Sequence, residues 1–550
     1  MDFDTSLFRS GAWDAARDGH HEPSSTNIPL HYERARMLCL SRGLTVDDIV
    51  ELSPRFWKFH FDPVAARDMT AFVIATIHLN LCVGTIARFS RERPDLEAIL
   101  DDLLSFTACG EFMLTEVDHG LDAHNLQTTA TMESDGSFIL NTPTAGAAKA
   151  MPPTSPLAGI ARVAVVFARL IVDGDDRGVK PFVVPISDVG GMCAGVVSRV
   201  LPVRPGTKPL DHSITTFRHV RLRPEALLGS ALQADNMRED FLAQIWRVSV
   251  GTLSLSIMGV SAIRVAGCIA AMYSQRRLVG QGTKLPVIQF STQQRPILKA
   301  LAHGEVLHAY ALWSVGEFMN PKHSVDVRRG IATAFKALVV RSSRLLSELA
   351  ERCGWQGLYA YNQISELAST FKETPWLRET LWLSASAADP TTPLAMYEKG
   401  MLEEATNKLA MASGASGSLR GAFYNNSILP RCRSIVEAIG QRMAYEAAQA
   451  QSDIPPQVLN LFEKSCIQED PAWFVEHGYG SLSRLWDDEE QAYCDLLPRL
   501  PSLVDRANAR AYITAPLIDE TAMKSFISAL PAFGNSEDDV LAVRAPKSRL

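Results

Sequence analysis

The hydrophobic period changes twice along this chain, and those two switches restrict the folds open to it more than any single residue does. Between residues 28 and 106, apolar side chains recur at three- and four-residue steps in ERARMLCLSRGL, DMTAFVIATIHLNLCVGTIARFS and DLEAILDDLLSFT, which predicts an α-helical N-terminal block. Ser53-Pro54 and Asp62-Pro63 punctuate it, because the residue before a proline is pushed out of helical geometry. Near Cys109 the text becomes short β-branched runs separated by Gly, Pro and Asp, and LQTTATMESDGSFILNTPT sets two such runs around an Asp-Gly pair, the chemistry of a tight hairpin. A compact antiparallel β-domain is expected there. Beyond Asn236 long helical patterns return, as a four-helix bundle would require, and after residue 393 more helical text follows, broken by a Gly/Ser-rich loop at 413–418 and by Pro455-Pro456. The expected class is mainly α with a central β-domain. The expected division is a helical domain over 1–108, a β-rich domain over 109–230, a helical bundle over 231–390 and a second helical domain over 391–550.

Charge and cysteine usage remove several function classes. A net charge of -7 leaves no basic surplus to neutralise a phosphate backbone, so a general nucleic-acid binder is excluded. The nine cysteines are scattered with no CxxC pair, which suggests reduced thiols and no zinc site. The apolar stretch over 241–272 is interrupted by Arg247 and Arg264 and reads as a buried helix, not a membrane span. No secretory or transit pattern is legible in the first residues. The last three, Ser548-Arg549-Leu550, are a conservative variant of the Ser-Lys-Leu address, so the expected compartment is the peroxisome, otherwise the cytoplasm.

Specific segments add a resemblance. Phe112-Met113-Leu114-Thr115-Glu116-Val117-Asp118-His119-Gly120 is similar to the F-x-x-T-E-x-x-H-G segment of the acyl-CoA oxidases, the longer relatives of the acyl-CoA dehydrogenases, and Leu126-Gln127-Thr128-Thr129-Ala130-Thr131 to the L-E-T-T-A-T strand that follows it. Thr142-Pro143-Thr144 with Lys149-Ala150-Met151-Pro152-Pro153 resembles T-P-T … K-W-W-P-G, residues 178–184 resemble G-V-x-x-F-I-V, and residues 217–222 resemble F-x-x-V-R-I-P. Tyr273-Ser274-Gln275-Arg276-Arg277 resembles Y-S-x-x-R, and residues 353–362, CGWQGLYAYN, resemble C-G-G-H-G-Y-x-A-Y-N. The resemblance implies an FAD enzyme acting on an acyl-CoA or related acyl thioester with dioxygen, working as a homodimer. It places Thr115 and Gly120 at the flavin, Met151 where the family has a tryptophan beside the ring, and Arg277 on the FAD pyrophosphate, with Arg276 as the near alternative. Gln294 helps to hold the dinucleotide, and Gly354 and Gly357 let backbone amides approach phosphate or ribose.

The residues alone allow plainer readings. Thr115 can be an ordinary strand threonine, Arg277 an exposed helix-end arginine, and the 354–357 glycines a helix C-cap. The family's catalytic glutamate, which takes the α-proton of the thioester, falls by ungapped counting on Arg378, with Glu379 next. Arginine cannot accept that proton. Either Glu379 serves, or the base comes from elsewhere, or the chemistry differs. The leading expectation is an oxidase forming a 2-enoyl thioester and hydrogen peroxide. Two alternatives are a tailoring enzyme of specialised polyketide or fatty-acyl metabolism with the same fold, and an inactive partner subunit.

Overall fold

The computed structural model describes residues 3–18, 27–120, 122–371, 390–413 and 423–530. Two compact units result, one running to Leu255 and one starting at Ser256. Helices open the first unit where the sequence places stop and start signals. Ser53 caps the helix Pro54–Phe61 by accepting the amide hydrogens of Arg55 and Phe56, with Pro54 at the first helical position, where its missing N–H costs nothing. Asp62 ends it in extended geometry before Pro63. A helix beginning at Met69 runs through a π-helical stretch, Ile77–Val83, into Gly84–Ala87.

The β-rich part of this unit contains β1 (Ala108–Met113), β2 (Thr129–Met132), β3 (Phe138–Asn141), β4 (Lys149–Pro153), β5 (Ala161–Val172), β6 (Asp175–Ser187), β7 (Val196–Val200), β8 (His212–Phe217) and β9 (Val220–Leu222). Asp135-Gly136 lies in the β2–β3 hairpin, where Gly136 takes a left-handed φ of 81°. Asp173 and Gly174, both left-handed, turn β5 into β6, as the mirror-image two-residue turn requires. One sheet has the order β1-β5-β2-β3-β9, with β6 on the other side of β5, and a second has the order β4-β8-β7. The domain is mixed, which corrects the antiparallel expectation: β1 and β2 both run parallel to β5. They lie along successive stretches of the same edge, β1 against Ala161–Val166 and β2 against Arg169–Ile171. Parallel pairing needs a long crossover, and the excursion through β2, β3 and β4 supplies one between β1 and β5. Covered on both faces, β5 buries five consecutive residues, Ala164 to Ala168, completely.

In the second unit the helices Ser291–Met319, Val325–Ser342, Leu429–Gln449 and Pro456–Ile467 pack on one another. Helices from both sides of residue 390 thus share a core. Gly440 permits a close approach of two of these helices, since a Cβ there would lie 3.1 Å from the Ala334 carbonyl oxygen. The helix Trp246–Arg276 contains the division between the units, and its most apolar window is 83% buried. Arg247, near the start of that helix, donates to the Asn80 and Ile49 carbonyls at 2.8 and 2.9 Å.

Two buried histidines tie the first unit together in their neutral form. His78 donates from Nε2 to the Leu103 carbonyl and accepts the Gly110 amide hydrogen at Nδ1, joining the π-helical stretch to β1. His60 donates to the Phe56 carbonyl and accepts from the Thr76 hydroxyl. Burial pushes the His78 imidazole down to about 4 and that of His60 to about 3, from an ordinary value of 6.5. A base whose pKa is lower folded than unfolded contributes stability that is complete above pH 6.5 and is lost as pH falls toward 4. Thermal melts between pH 7 and 4 are expected to show a falling midpoint, with a shallower slope in His78→Gln; equal slopes in the two proteins would contradict the assignment.

Candidate functional site

The segment 112–120 is fastened to β4 and the turn before it by backbone and by charge. The Thr115 carbonyl accepts the Ala150 amide hydrogen at 3.0 Å, and the Val117 and Asp118 amides donate to the Ala148 and Gly146 carbonyls. Beneath this seam Glu116 is 1% exposed. Its carboxylate receives Lys149 Nζ at 3.0 Å, His119 Nδ1 at 3.0 Å, the Gln127 and Thr128 amides at 2.7 and 2.9 Å, and the Thr128 hydroxyl at 2.7 Å. Burial alone would raise this carboxyl, but Lys149 and the converging donors outweigh it and hold the group below its ordinary value. Burial takes Lys149 down to about 8 against the pull of Glu116, so the pair stays ionised at neutral pH.

That seam sets the surroundings of the expected ring contacts. Thr115 is half-buried, and its hydroxyl has no partner among the described residues. Gly120 is exposed; a Cβ there would meet only Thr115 Cγ2, at 4.0 Å, so neither turn geometry nor packing within the chain demands a glycine. Met151 is 49% exposed and left-handed, with φ of 73°. A side chain rarely adopts that geometry, which costs about 1–3 kcal/mol and persists only where the surroundings over-determine it. The β4–β8 register shifts between Ala150 and Pro153, so Met151 sits on an irregularity of the strand, its carbonyl accepting from His212 Nδ1 at 2.8 Å. Thr115, Gly120 and Met151 are therefore brought together. Glu116, Lys149 and His212, which hold this segment, were not singled out from the sequence; the acid and base stand in its motifs, 33 residues apart, without any signal that they pair.

In the second unit the phosphate candidates gather around one amide. Gln293 Nε2 donates to the Ser274 hydroxyl at 2.8 Å and to the Arg352 carbonyl at 2.7 Å, drawing together the end of Trp246–Arg276, the start of Ser291–Met319 and the glycine segment. Arg276 is committed, donating to the Leu517 carbonyl at 2.7 and 3.1 Å. Arg277 is exposed and its guanidinium has no partner among the described residues, and the same holds for the side-chain amide of half-buried Gln294. The glycines have reasons within the chain. Gly354 is left-handed, with φ of 62°, after the helix Arg344–Glu351, and a Cβ on Gly357 would lie 1.8 Å from the Ala350 carbonyl oxygen. Backbone geometry thus favours glycine at 354, two residues beyond the helix's own cap at Arg352, and packing demands it at 357. Arg378 and Glu379 lie outside the described residues, as does Ser548-Arg549-Leu550.

The buried pair makes a testable demand. Lys149→Met strands a carboxylate in the interior and is expected to lower unfolding stability by about 3–5 kcal/mol in urea titrations, with Glu116→Gln/Lys149→Met recovering much of the loss. A Lys149→Met midpoint equal to the parent's would contradict the pairing.

No family model matches the chain. The peroxisomal acyl-coenzyme A oxidase 2 of Arabidopsis thaliana is 28% identical over 382 residues, 62% of this chain and 54% of that protein. Acyl-coenzyme A oxidase 2 of Yarrowia lipolytica is 28% identical over 293 residues, 50% of this chain and 41% of its own. The chain thus spans about half the length of the curated relatives it matches. Among solved structures, acyl-CoA oxidase 3 of Y. lipolytica superposes with a TM-score of 0.78 at 18% identity, covering 98% of this chain and 92% of that one. Acyl-CoA oxidase-1 of Caenorhabditis elegans, complexed with FAD and ATP, gives 0.68 at 16% identity, covering 93% and 91%. By sequence the chain is thus similar to acyl-CoA oxidases over about half to three fifths of its length, and it shares their fold.

Proposed function

We propose that the chain is an FAD-dependent oxidoreductase of acyl-CoA oxidase type, converting an acyl-CoA or related acyl thioester and dioxygen into a 2-enoyl thioester and hydrogen peroxide. The observation that carries this reading is the exposed, left-handed Met151 beside Thr115, at the place where the resemblance puts the flavin ring. Bound FAD would supply the two-electron acceptor for the substrate and hand those electrons to dioxygen. The residues present fit it. The Thr115 hydroxyl, unpartnered among the described residues, and the open Gly120 suit the polar edge of a ring, Met151 offers a polarizable side chain to its face, and the Arg277 guanidinium, likewise unpartnered among the described residues, suits a pyrophosphate. Gln294 supports the same phosphate end, and Gly354 and Gly357 shape the loop beside it.

The proton of the reaction needs its own acceptor. A thioester α-proton is weakly acidic and requires a carboxylate within hydrogen-bond reach, its pKa raised by a dry surrounding. We assign that task to Glu379, one residue beyond the position where Arg378 stands. Arg378 in that place favours a second reading, a tailoring enzyme whose arginine binds a carboxylate or phosphate of its substrate. Homodimerisation and a peroxisomal location belong to the same proposal, the latter supported by the names of several relatives.

Peroxide release on addition of acyl-CoA substrates of graded chain length separates the readings. Glu379→Gln is expected to lower turnover by about a hundredfold or more, with little change in flavin content. Turnover that survives Glu379→Gln but vanishes in Arg378→Ala would overturn the assignment of the base. Arg277→Gln is expected to reduce FAD retained through gel filtration while leaving the folded fraction unchanged; full retention would remove Arg277 from the phosphate site.

A further inference from the structure

The strain at Met151 requires a force that holds it, and the chain supplies that force from β8. His212 Nδ1–H donates to the Met151 carbonyl at 2.8 Å. The segment carrying His212 is itself fixed. The neighbouring Asp211 is fully buried and accepts Tyr32 Oη at 2.8 Å, Ser155 Oγ at 2.6 Å and Arg162 Nη2 at 3.0 Å. Arg162 is buried to 0% exposure and pins the chain on the far side of Met151, donating to the Pro153 and Ser155 carbonyls at 2.8 Å each. On the near side Ala150 is tied to Thr115. The register shift between Ala150 and Pro153 leaves the Met151 peptide outside regular pairing, and the imidazole of His212 supplies its carbonyl with a donor there.

We propose that His212 is a positioning residue: its Nδ1–H holds the Met151 carbonyl, keeps Met151 in the left-handed conformation and so aims its side chain at the ring of the cofactor. The aim at a flavin rests on the function proposed above, whereas the clamp itself is a property of the chain alone. Asparagine tests the geometry, because its side-chain amide nitrogen can stand where Nδ1 stands and donate to the same carbonyl. Glycine tests the strain, since it adopts a positive φ without penalty.

Two measurements on the full-length protein decide the matter. In thermal melts, His212→Leu is expected to lower the midpoint, His212→Asn to restore most of it, and His212→Leu to cost less in a Met151→Gly background than in the parent. Additive effects of His212→Leu and Met151→Gly, or an asparagine variant no better than leucine, would overturn the clamp whether or not any cofactor binds. In FAD titrations followed by the visible spectrum, His212→Leu is expected to weaken binding about tenfold and blur the resolved flavin band, with His212→Asn close to the parent. A parent protein that binds no FAD sinks the functional reading and leaves the melts to judge the clamp. A parent that binds FAD, beside a His212→Leu variant of equal affinity and identical spectrum, sinks the positioning role alone.

Discussion

A single ion pair in the interior, Glu116 with Lys149, decides where everything else in the candidate ring site can stand. Neither residue is solvated, and a buried pair returns little net stability compared with an apolar substitute. Its value is in register. Only one alignment of the 112–120 segment on β4 places the ammonium under the carboxylate, and that alignment also sets the Thr115 carbonyl on the Ala150 amide. The cost of a slip is a stranded charge, far more than a slipped backbone hydrogen bond would exact.

A second buried cation works behind the first. Arg162 satisfies the Pro153 and Ser155 carbonyls while meeting Glu111, Asp211 and the Tyr32 hydroxyl and stacking over the Tyr32 ring at 4.4 Å. One arginine between two carboxylates leaves Glu111 to be driven up by burial to about 8, so the cluster holds its proton there and stays near neutrality. Together the two cations frame the stretch from Lys149 to Ser155 at both ends. A strained residue can be sustained between such anchors, which is why Met151 is both exposed and fixed.

Local chemistry was legible in the sequence, and distant pairing was not. The Asp135-Gly136 hairpin and the Ser53-Pro54 helix start depend on neighbouring residues, and both stand where their residues call for them. The parallel course of β1 beside β5 depends on residues that meet across a long crossover, and short alternating runs carry no sign of strand direction. Thr115, Gly120 and Met151 were named from motifs and do lie together, yet the acid-base pair that assembles them spans two separate motifs. Arg276 and Arg277 differ by one position in a string, and only the Leu517 carbonyl shows which of them is occupied. Gly357 was read toward a ligand because glycine implies close approach; the approach is to the Ala350 carbonyl of its own chain.

The account stands on a flavin bound where Thr115, Gly120 and Met151 converge. Heat denaturation of the purified protein, followed by fluorescence of the cleared supernatant, tests this most directly. The account predicts riboflavin-type emission stoichiometric with the chain and lost selectively in a variant that fills Gly120 with a large side chain, Gly120→Phe. A folded, monodisperse parent that releases no such emission and takes none up when incubated with FAD would contradict it.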